Sequence, residues 1–223
     1  MSIISDQNTQ NSSLLFQPFI KFKHPTTIIV AGPTQCGKTE LIKNILIHKE
    51  KLFEKCPKNI VWGFGHVNEN QINSIQKEIP NITFTNGLPE RDTLSNSILI
   101  LDDLMNEIGK SNEYSNLFTR GCHHDNITTI AVLHNIFNKE KYNRNIALNT
   151  HYYILFKNPR DKQQIRCLEN QIFPGQKNYL LNAFNHATSK PYGYLVIDLH
   201  PTTSENMRLY SNILPNNIHT MYN

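Results

Sequence analysis

The residues with the clearest chemistry form the segment Gly32-Pro33-Thr34-Gln35-Cys36-Gly37-Lys38-Thr39, which fits the phosphate-binding pattern GxxxxGK[ST] without a mismatch. Glycines at positions 32 and 37 let the backbone curl so that successive N–H groups point at phosphate oxygens. Lys38 would then reach the β and γ phosphates, and the Thr39 hydroxyl would ligate Mg²⁺. The segment therefore predicts binding of a nucleoside triphosphate together with Mg²⁺.

Two adjacent aspartates supply the second half of such a site. Asp102 and Asp103 directly follow the apolar run Ser97-Ile98-Leu99-Ile100-Leu101. The carboxyl ends of parallel strands face the ligand crevice, so we expect Asp102 to share Mg²⁺ with Thr39 and Asp103 to orient the water that attacks the γ phosphate. Hydrolysing ATPases of this kind more often have Asp-Glu, and Asp103 is one methylene shorter. The alternative is a simple turn after a strand.

Phosphoryl transfer also needs a positive charge near the γ phosphate and a polar group that senses the nucleotide. Arg120 precedes a predicted strand, so it cannot easily reach its own nucleotide but could reach that of a neighbouring subunit in a ring. His134, followed by Asn135, closes the same strand at the ligand edge. The sequence thus predicts Asp103, Arg120 and His134 as the catalytic residues.

These residues require a sheet whose strands alternate with helices. Apolar or β-branched runs predict the strands, and amphipathic segments predict helices at 38–49, 69–79, 161–172 and 176–187. The strand candidates are 26–31, 59–63, 82–84, 97–101, 126–133, 152–156 and 194–199, with a possible partner near 208–213. This pattern indicates an α/β fold in which helices flank a mostly parallel sheet. We expect a flexible N-terminal arm at residues 1–18 and one domain at residues 19–223.

Composition restricts the partners without identifying them. The formal net charge of the 223-residue chain is +4, which permits a nucleic-acid partner. Basic residues cluster at Lys139, Lys141 and Arg144 and again at Lys157, Arg160, Lys162 and Arg166. They could contact DNA phosphates, or they could form ordinary solvated surfaces. The sequence has no apolar run of membrane-spanning length and no signal-peptide pattern, so we expect no membrane partner and a soluble, intracellular protein.

The four cysteines are scattered without CxxC spacing, which argues against a zinc ribbon and against a disulfide framework. Cys36 lies within the phosphate-binding segment, and its simplest interpretation is a small packing residue. The alternative is an oxidation-sensitive site, because the local positive field would favour its thiolate. Cys122 next to His123 and His124 suggests a metal site, but adjacent residues on a strand would point to opposite faces, which makes a shared ion awkward.

Over roughly residues 20–215, the chain resembles the FtsK/HerA superfamily of DNA-pumping ATPases, in particular the DNA-packaging ATPases of poxvirus-like viruses, Polinton elements and adintoviruses. The resemblance is carried by GPTQCGKT at 32–39, ILILDDLM at 98–105, FTRGCHHDNITTIAVLHNIF at 118–137, NTHYYILFKNPRD at 149–161 and Pro191-Tyr192-Gly193-Tyr194. The first two segments occur in many ATPases. The third and fourth, in this order and spacing, are much more specific.

The resemblance implies a P-loop NTPase fold of the ASCE, RecA-like type and a ring-shaped homo-oligomer. It also implies ATP-driven movement of double-stranded DNA into a viral capsid or portal-type vertex, in a virion or at a site of virus assembly in the host cell. It makes Arg120 an arginine finger acting on the neighbouring subunit and gives the histidine pair a role in subunit contact. Position 134 becomes the nucleotide sensor, where the family usually has glutamine and this chain has His134.

Three other functions are weighed against this one. A nucleotide-dependent DNA-binding or assembly protein with weak or lost hydrolysis is compatible with His134. A small nucleotide kinase also has a phosphate-binding loop, but such kinases carry an arginine-rich lid that this sequence lacks. A GTPase needs NKxD for guanine, and the segment Asn138-Lys139-Glu140-Lys141 ends in lysine.

Overall fold

The apolar runs of the sequence form one nine-stranded sheet in a computed structural model of the chain. The structure describes residues 20–66, 68–121, 124–136, 143–215 and 217–223, and the expected arm at residues 1–18 lies outside these ranges. The strands of the described residues are β1 (Thr27–Ala31), β2 (Asn59–Phe64), β3 (Ile82–Asn86), β4 (Ser97–Asp102), β5 (Thr128–Leu133), β6 (Tyr152–Phe156), β7 (Tyr194–Asp198), β8 (Leu209–Ser211) and β9 (Thr220–Tyr222).

The strand order across the sheet is β3-β2-β4-β5-β1-β6-β7-β8-β9. Strands β1 to β6 pair in parallel, whereas β7, β8 and β9 extend the sheet with antiparallel pairs. The predicted mostly parallel α/β fold is therefore confirmed. Strand β9 has only three residues, too few to give an alternating pattern that sequence analysis could detect.

Helices cover both faces of the sheet. They are α1 (Lys38–Ile47), α2 (Lys49–Leu52), α3 (Glu69–Glu78), α4 (Met105–Lys110), α5 (Asn112–Asn116), α6 (Asn143–Leu148), α7 (Gln163–Ile172) and α8 (Tyr179–Ala187). Alternate residues of a strand enter opposite cores: Ile98 and Ile100 pack with α1 and α3, while Leu99 and Leu101 pack with α4 to α8. Strands buried on both faces explain why the sequence shows continuous apolar runs.

The longer helices agree with their predicted positions apart from their ends. Helix α8 begins at Tyr179, three residues later than predicted, because Gly175 and Asn178 have φ values of 90° and 62° and turn the chain before it. Helices α4, α5 and α6 are not predicted, since five or six residues give no helical periodicity.

Within the described residues, no helix combines the length and the apolar character needed to cross a bilayer.

Candidate nucleotide-binding site

The GxxxxGK[ST] segment forms the loop between β1 and α1. Gly37 directly precedes α1 and has a φ of 101°, a left-handed conformation that favours glycine. Gly32 has no space for a side chain, because a Cβ there would lie 2.6 Å from the Cβ of Phe156 and 2.7 Å from the Sγ of Cys36. No side chain caps the start of α1, so its first backbone N–H groups are suited to binding an anion.

The Lys38 ammonium lies inside this loop. Its Nζ donates to the carbonyl oxygens of Gly32 at 2.6 Å and Pro33 at 2.8 Å. Lys38 is only 8% exposed, and this burial lowers the pKa of its amine, although the negative charges of Asp102 and Asp103 oppose the shift. The amine is thus held where a phosphate oxygen could replace the loop carbonyls as its partner.

Asp102 is the last residue of β4 and lies on the face of the sheet that α1 covers. It is opposite Phe64 on β2 and Val132 on β5, and both of these belong to the core on that face. Burial raises the pKa of the Asp102 carboxyl, and the Lys38 ammonium opposes the shift. A carboxylate in this position is stabilised by a nearby cation.

Asp103 and His134 contact each other just beyond β4 and β5. The Oδ1 of Asp103 lies 3.6 Å from the Nε2 of His134, and the two side chains are 53% and 54% exposed. Asp103 has a φ of 59°, so the chain turns sharply after β4. Gly65, just beyond β2, packs against this turn, since a Cβ on it would lie 2.4 Å from the Asp103 carbonyl oxygen. The loops that follow β2, β4 and β5 therefore meet.

One cleft of about 430 Å³ joins these groups. Eight of the residues that the sequence predicts for the site line it: Thr34, Gln35, Gly37, Lys38, Thr39, Asp102, Asp103 and His134. Gly32, Pro33 and Cys36 belong to the same loop but do not line the cleft.

Four further residues of the cleft are absent from the sequence prediction. Phe64 and His66 come from the end of β2, and Glu40 and Gln71 come from the first turns of α1 and α3. Phe64 and His66 reach the cleft only because β2 lies next to β4, and strand order leaves no local signal in the sequence.

The donors around the cleft fit a magnesium ion. Thr39 and Asp102, the predicted ligands, both line it and offer oxygen atoms, which Mg²⁺ prefers. Mg²⁺ is usually held by one or two carboxylates together with substrate phosphates and water, so a site with one aspartate is sufficient. Over the described ranges, there is no group of three or more His, Cys, Asp or Glu residues that could hold a metal by itself.

Cys36 packs against the core on the α1 face, in agreement with its interpretation as a small packing residue. Burial raises the pKa of the Cys36 thiol, and the nearby Lys38 ammonium offsets this effect only in part. The alternative, a thiolate favoured by the loop, is therefore wrong.

Several of the predicted residues lie outside the part of the chain that the structure describes, and others lie away from the cleft. The backbone of Arg120 belongs to a π-helical segment, Leu117–Gly121, but its side chain lies outside the described part of the chain, as do Cys122, His123, Lys139 and Lys141. His124 is exposed and precedes β5, so it is not on a strand. Arg144 is exposed, and so are all four basic residues of the second cluster, at positions 157, 160, 162 and 166.

Gln164 on α7 supports the loop that carries His134. Its Oε1 accepts a hydrogen bond from the backbone N–H of Ile136 at 3.0 Å, and its Nε2 donates to Asp161. Gln164 is buried, so this amide is a structural link between α7 and the end of β5.

Comparison with known proteins gives structural matches only. No protein-family model matches the chain, and no curated protein matches it in sequence. The DNA-packaging ATPase B204 of Sulfolobus turreted icosahedral virus superposes with a TM-score of 0.55 and 12% identity, over 89% of this chain and 97% of that chain. B204 of Sulfolobus turreted icosahedral virus 2 gives 0.53 and 12% in complex with ATP-γS, over 89% and 97%. Its sulfate complex gives 0.54 and 14%, over 80% and 93%.

At such low sequence identity, structural similarity shows the fold alone. The chain has the α/β fold of P-loop NTPases, with β5 inserted between the loop strand β1 and the acidic strand β4.

We predict that Gln164→Leu lowers the free energy of unfolding by about 1–3 kcal/mol, because the buried N–H of Ile136 loses its acceptor. Denaturant unfolding measures this loss. The control is Gln163→Leu, the same change at an exposed neighbouring position of α7. Equal effects of the two substitutions would show that the hydrogen bond to Ile136 contributes nothing specific.

Proposed function

We propose that this chain is an ATP-hydrolysing subunit of a ring-shaped motor that moves double-stranded viral or element DNA into a capsid. The observation that carries the proposal is the meeting of Lys38, Thr39, Asp102 and Asp103 in one cleft at the carboxyl edge of the sheet. The likeness of the whole fold to B204, a genome-packaging NTPase, supports the same function. The five segments of family resemblance extend that support to the poxvirus, Polinton and adintovirus type.

In this proposal the loop at 32–39 binds the phosphates of ATP. Lys38 exchanges its loop carbonyls for oxygens of the β and γ phosphates, and the start of α1 adds partial positive charge. Thr39 and Asp102 would hold Mg²⁺, and the ion would neutralise charge on the β and γ phosphates. Burial disfavours the charges of both Lys38 and Asp102. In the complex, the Lys38 ammonium is paired with phosphate oxygens and the Asp102 carboxylate with Mg²⁺.

Asp103 orients the attacking water or accepts a proton from it. The water oxygen bonds to the γ phosphorus, and the bond from the γ phosphorus to the β–γ bridging oxygen breaks. His134 contacts the Asp103 carboxylate, so the imidazole can fix the direction of this short side chain. The pair thereby compensates for aspartate standing where related ATPases more often have glutamate.

The same contact favours a second candidate function. If His134 withdraws Asp103 from the γ phosphate, the chain binds ATP but hydrolyses it slowly, as a nucleotide-dependent DNA-binding or assembly protein would. The loop, the magnesium ligands and the fold are the same in both cases. Only turnover separates the two functions.

The partners follow from the motor proposal. Arg120 is the arginine finger that acts on the nucleotide of the neighbouring subunit in the ring. Exposed basic side chains after β6, at positions 157, 160, 162 and 166, are candidates for contacts with DNA phosphates. The motor would act at the capsid or portal-type vertex during virion assembly.

ATP turnover with and without long duplex DNA tests the proposal. We expect hydrolysis that DNA accelerates, and electron microscopy with an ATP analogue and DNA should show rings around the duplex. Lys38→Ala should abolish nucleotide binding, because Lys38 contacts the phosphates of the ground state. Asp103→Asn should leave binding intact and lower the turnover number by about 10²–10⁴-fold, because Asp103 acts on water.

The matched controls for these variants are Lys51→Ala and Asp92→Asn, which make the same changes at exposed positions away from the cleft. The absence of turnover in the native chain, with and without DNA, would exclude the motor and leave the binding protein. Full turnover in Asp103→Asn would exclude Asp103 as the base.

We predict that Arg120 acts across a subunit boundary. Arg120→Ala and Lys38→Ala proteins, each inactive alone, should recover hydrolysis when mixed, because the Lys38→Ala subunit still offers a finger to an intact neighbouring loop. A trans arginine is typically worth about 10³–10⁵ in rate, so even partial recovery is measurable. Mixing Lys38→Ala with Asp102→Asn is the control, since every cleft then keeps one defect. Mixed rings without recovery in the first pair would assign Arg120 a structural role.

The role of His134 is tested by two substitutions. His134→Gln should hydrolyse ATP at least as fast as the native chain at pH 7, because an amide carries a donor and an acceptor at one end, whereas a neutral imidazole has them on separate ring nitrogens. His134→Ala should lower the turnover number by roughly 10²-fold, as loss of one transition-state hydrogen bond does elsewhere. Steady-state kinetics measures both. If all three proteins have the same turnover number, His134 does not sense the nucleotide.

A further inference from the structure

Tyr192 occupies a backbone conformation that tyrosine rarely adopts. It lies in the turn before β7, where the N–H of Gly193 donates to the carbonyl oxygen of Lys190 at 3.1 Å. Pro191 fixes a negative φ at the second position of this turn, and Tyr192 at the third has a φ of 61°, so the turn is of type II. That third position normally requires glycine or asparagine.

The left-handed residues of the described chain show how unusual this is. Apart from glycines, seven residues have positive φ, and four of them are asparagines, which adopt this conformation most readily. The other three are Gln35, Asp103 and Tyr192. Gln35 and Asp103 line the cleft described above, and Tyr192 packs on its loop. Backbone strain of this kind persists where the surrounding structure enforces it, and it concentrates at functional sites.

The antiparallel direction of β7 brings this turn to the ligand edge of the sheet. The first residue of β7, Tyr194, pairs with the last residue of β6, Phe156, so the turn lies at the carboxyl ends of the parallel strands. Gly193 fixes the turn against the end of α8, because a Cβ there would lie 2.4 Å from the carbonyl oxygen of Ala187. The position of Tyr192 is therefore set by the packing of Gly193 and the strand pairing of Tyr194, the two residues that follow it.

The Tyr192 ring lies directly beside the phosphate loop. A Cβ built on Gly37 would be 3.2 Å from the Cδ1 of Tyr192. The side chain is nevertheless 72% exposed, so most of the ring is accessible to a ligand. An exposed aromatic ring against the loop glycine is a poor core residue and a suitable stacking surface.

Tyr192 and the acidic pair lie on opposite sides of the loop. In the strand order, β4 with Asp102 lies two strands to one side of β1, and β7 lies two strands to the other side. A triphosphate whose γ end points at Asp102 and Asp103 therefore directs its other end toward β6 and β7. The group attached to the α phosphate would then approach Tyr192.

We propose that Tyr192 is the platform for the nucleoside, with its ring stacked on the base of the bound nucleotide. The assignment rests on the proposed function, in which the loop at 32–39 binds the triphosphate. Every base has a π-face, so stacking adds affinity for nucleotides over inorganic polyphosphate without selecting one base. The strained turn is kept because it holds the ring beside Gly37.

Three proteins test the assignment: the native full-length chain, Tyr192→Phe, which keeps the ring, and Tyr192→Asn, which removes it. Asparagine tolerates a left-handed backbone, so the turn is retained. Calorimetric titration with Mg²⁺ measures the affinity for ATP and for inorganic tripolyphosphate, which lacks a base. Thermal unfolding of Tyr192→Asn should show a midpoint equal to or above that of the native chain, because a strained residue is replaced.

We expect Tyr192→Asn to weaken ATP binding by roughly 10–100-fold, the usual effect of losing one aromatic stacking partner, and to leave tripolyphosphate binding unchanged. Tyr192→Phe should bind both ligands like the native chain. Equal weakening of both ligands in Tyr192→Asn would overturn the proposal, because the residue would then only shape the loop. Unchanged ATP binding would overturn it as well.

The same titrations distinguish a failure of the proposed function from a failure of the stacking role of Tyr192. A native chain that binds neither ATP nor tripolyphosphate would exclude nucleotide binding, and the role of Tyr192 with it. A native chain that binds both ligands, with an unaffected Tyr192→Asn variant, would remove only the stacking role.

Discussion

The insertion of β5 between β1 and β4 is the constraint on which the candidate site depends. The parallel ladders pair Ala31 with Leu133 and Asp102 with Val132, so the three strands end at one edge in nearly the same register. The N–H of Gly32 continues the ladder by donating to the Leu133 carbonyl oxygen at 3.1 Å. A one-residue slip in the β4–β5 ladder would move Asp102 to the face away from α1. The separation between loop and acid is therefore a property of the sheet.

The electrostatics at the carboxyl edge of the sheet favour charged ligands. Burial lowers the pKa of Lys38 and raises the pKa of Asp102, so the protein environment disfavours the charged form of both groups. Opposite shifts in one cleft are typical of sites that bind or react with charged molecules. An anion beside Lys38 would stabilise the charged ammonium, and a cation beside Asp102 would stabilise the charged carboxylate. The buried Lys38 and Asp102 thus favour a ligand that carries both charges, such as a phosphate bound together with a metal ion.

Sequence reasoning predicted the parts of this site that local patterns determine. The phosphate-binding segment, the apolar run before Asp102 and the buried strands are each defined within ten or so residues, and the fold they indicate is the one observed. The contact between Asp103 and His134 and the contribution of Phe64 to the cleft depend on strand order, which no single segment encodes. The alternative of a thiolate at Cys36 is wrong for a related reason, because burial raises the pKa of the thiol more than the Lys38 ammonium lowers it.

The strained residues show why local preference is a weak guide at this edge. Asp103 and Tyr192 each adopt a left-handed backbone beside a glycine contact that leaves no space for a Cβ, at Gly65 and Gly193 respectively. These close contacts fix the Asp103 turn against the loop after β2 and the Tyr192 turn against the end of α8, so packing imposes conformations that the residues themselves disfavour. A chain selected only for stability would place glycine or asparagine at position 192. The proposed stacking of the Tyr192 ring on a nucleobase, at its place beside Gly37, would account for a residue that stability alone does not favour.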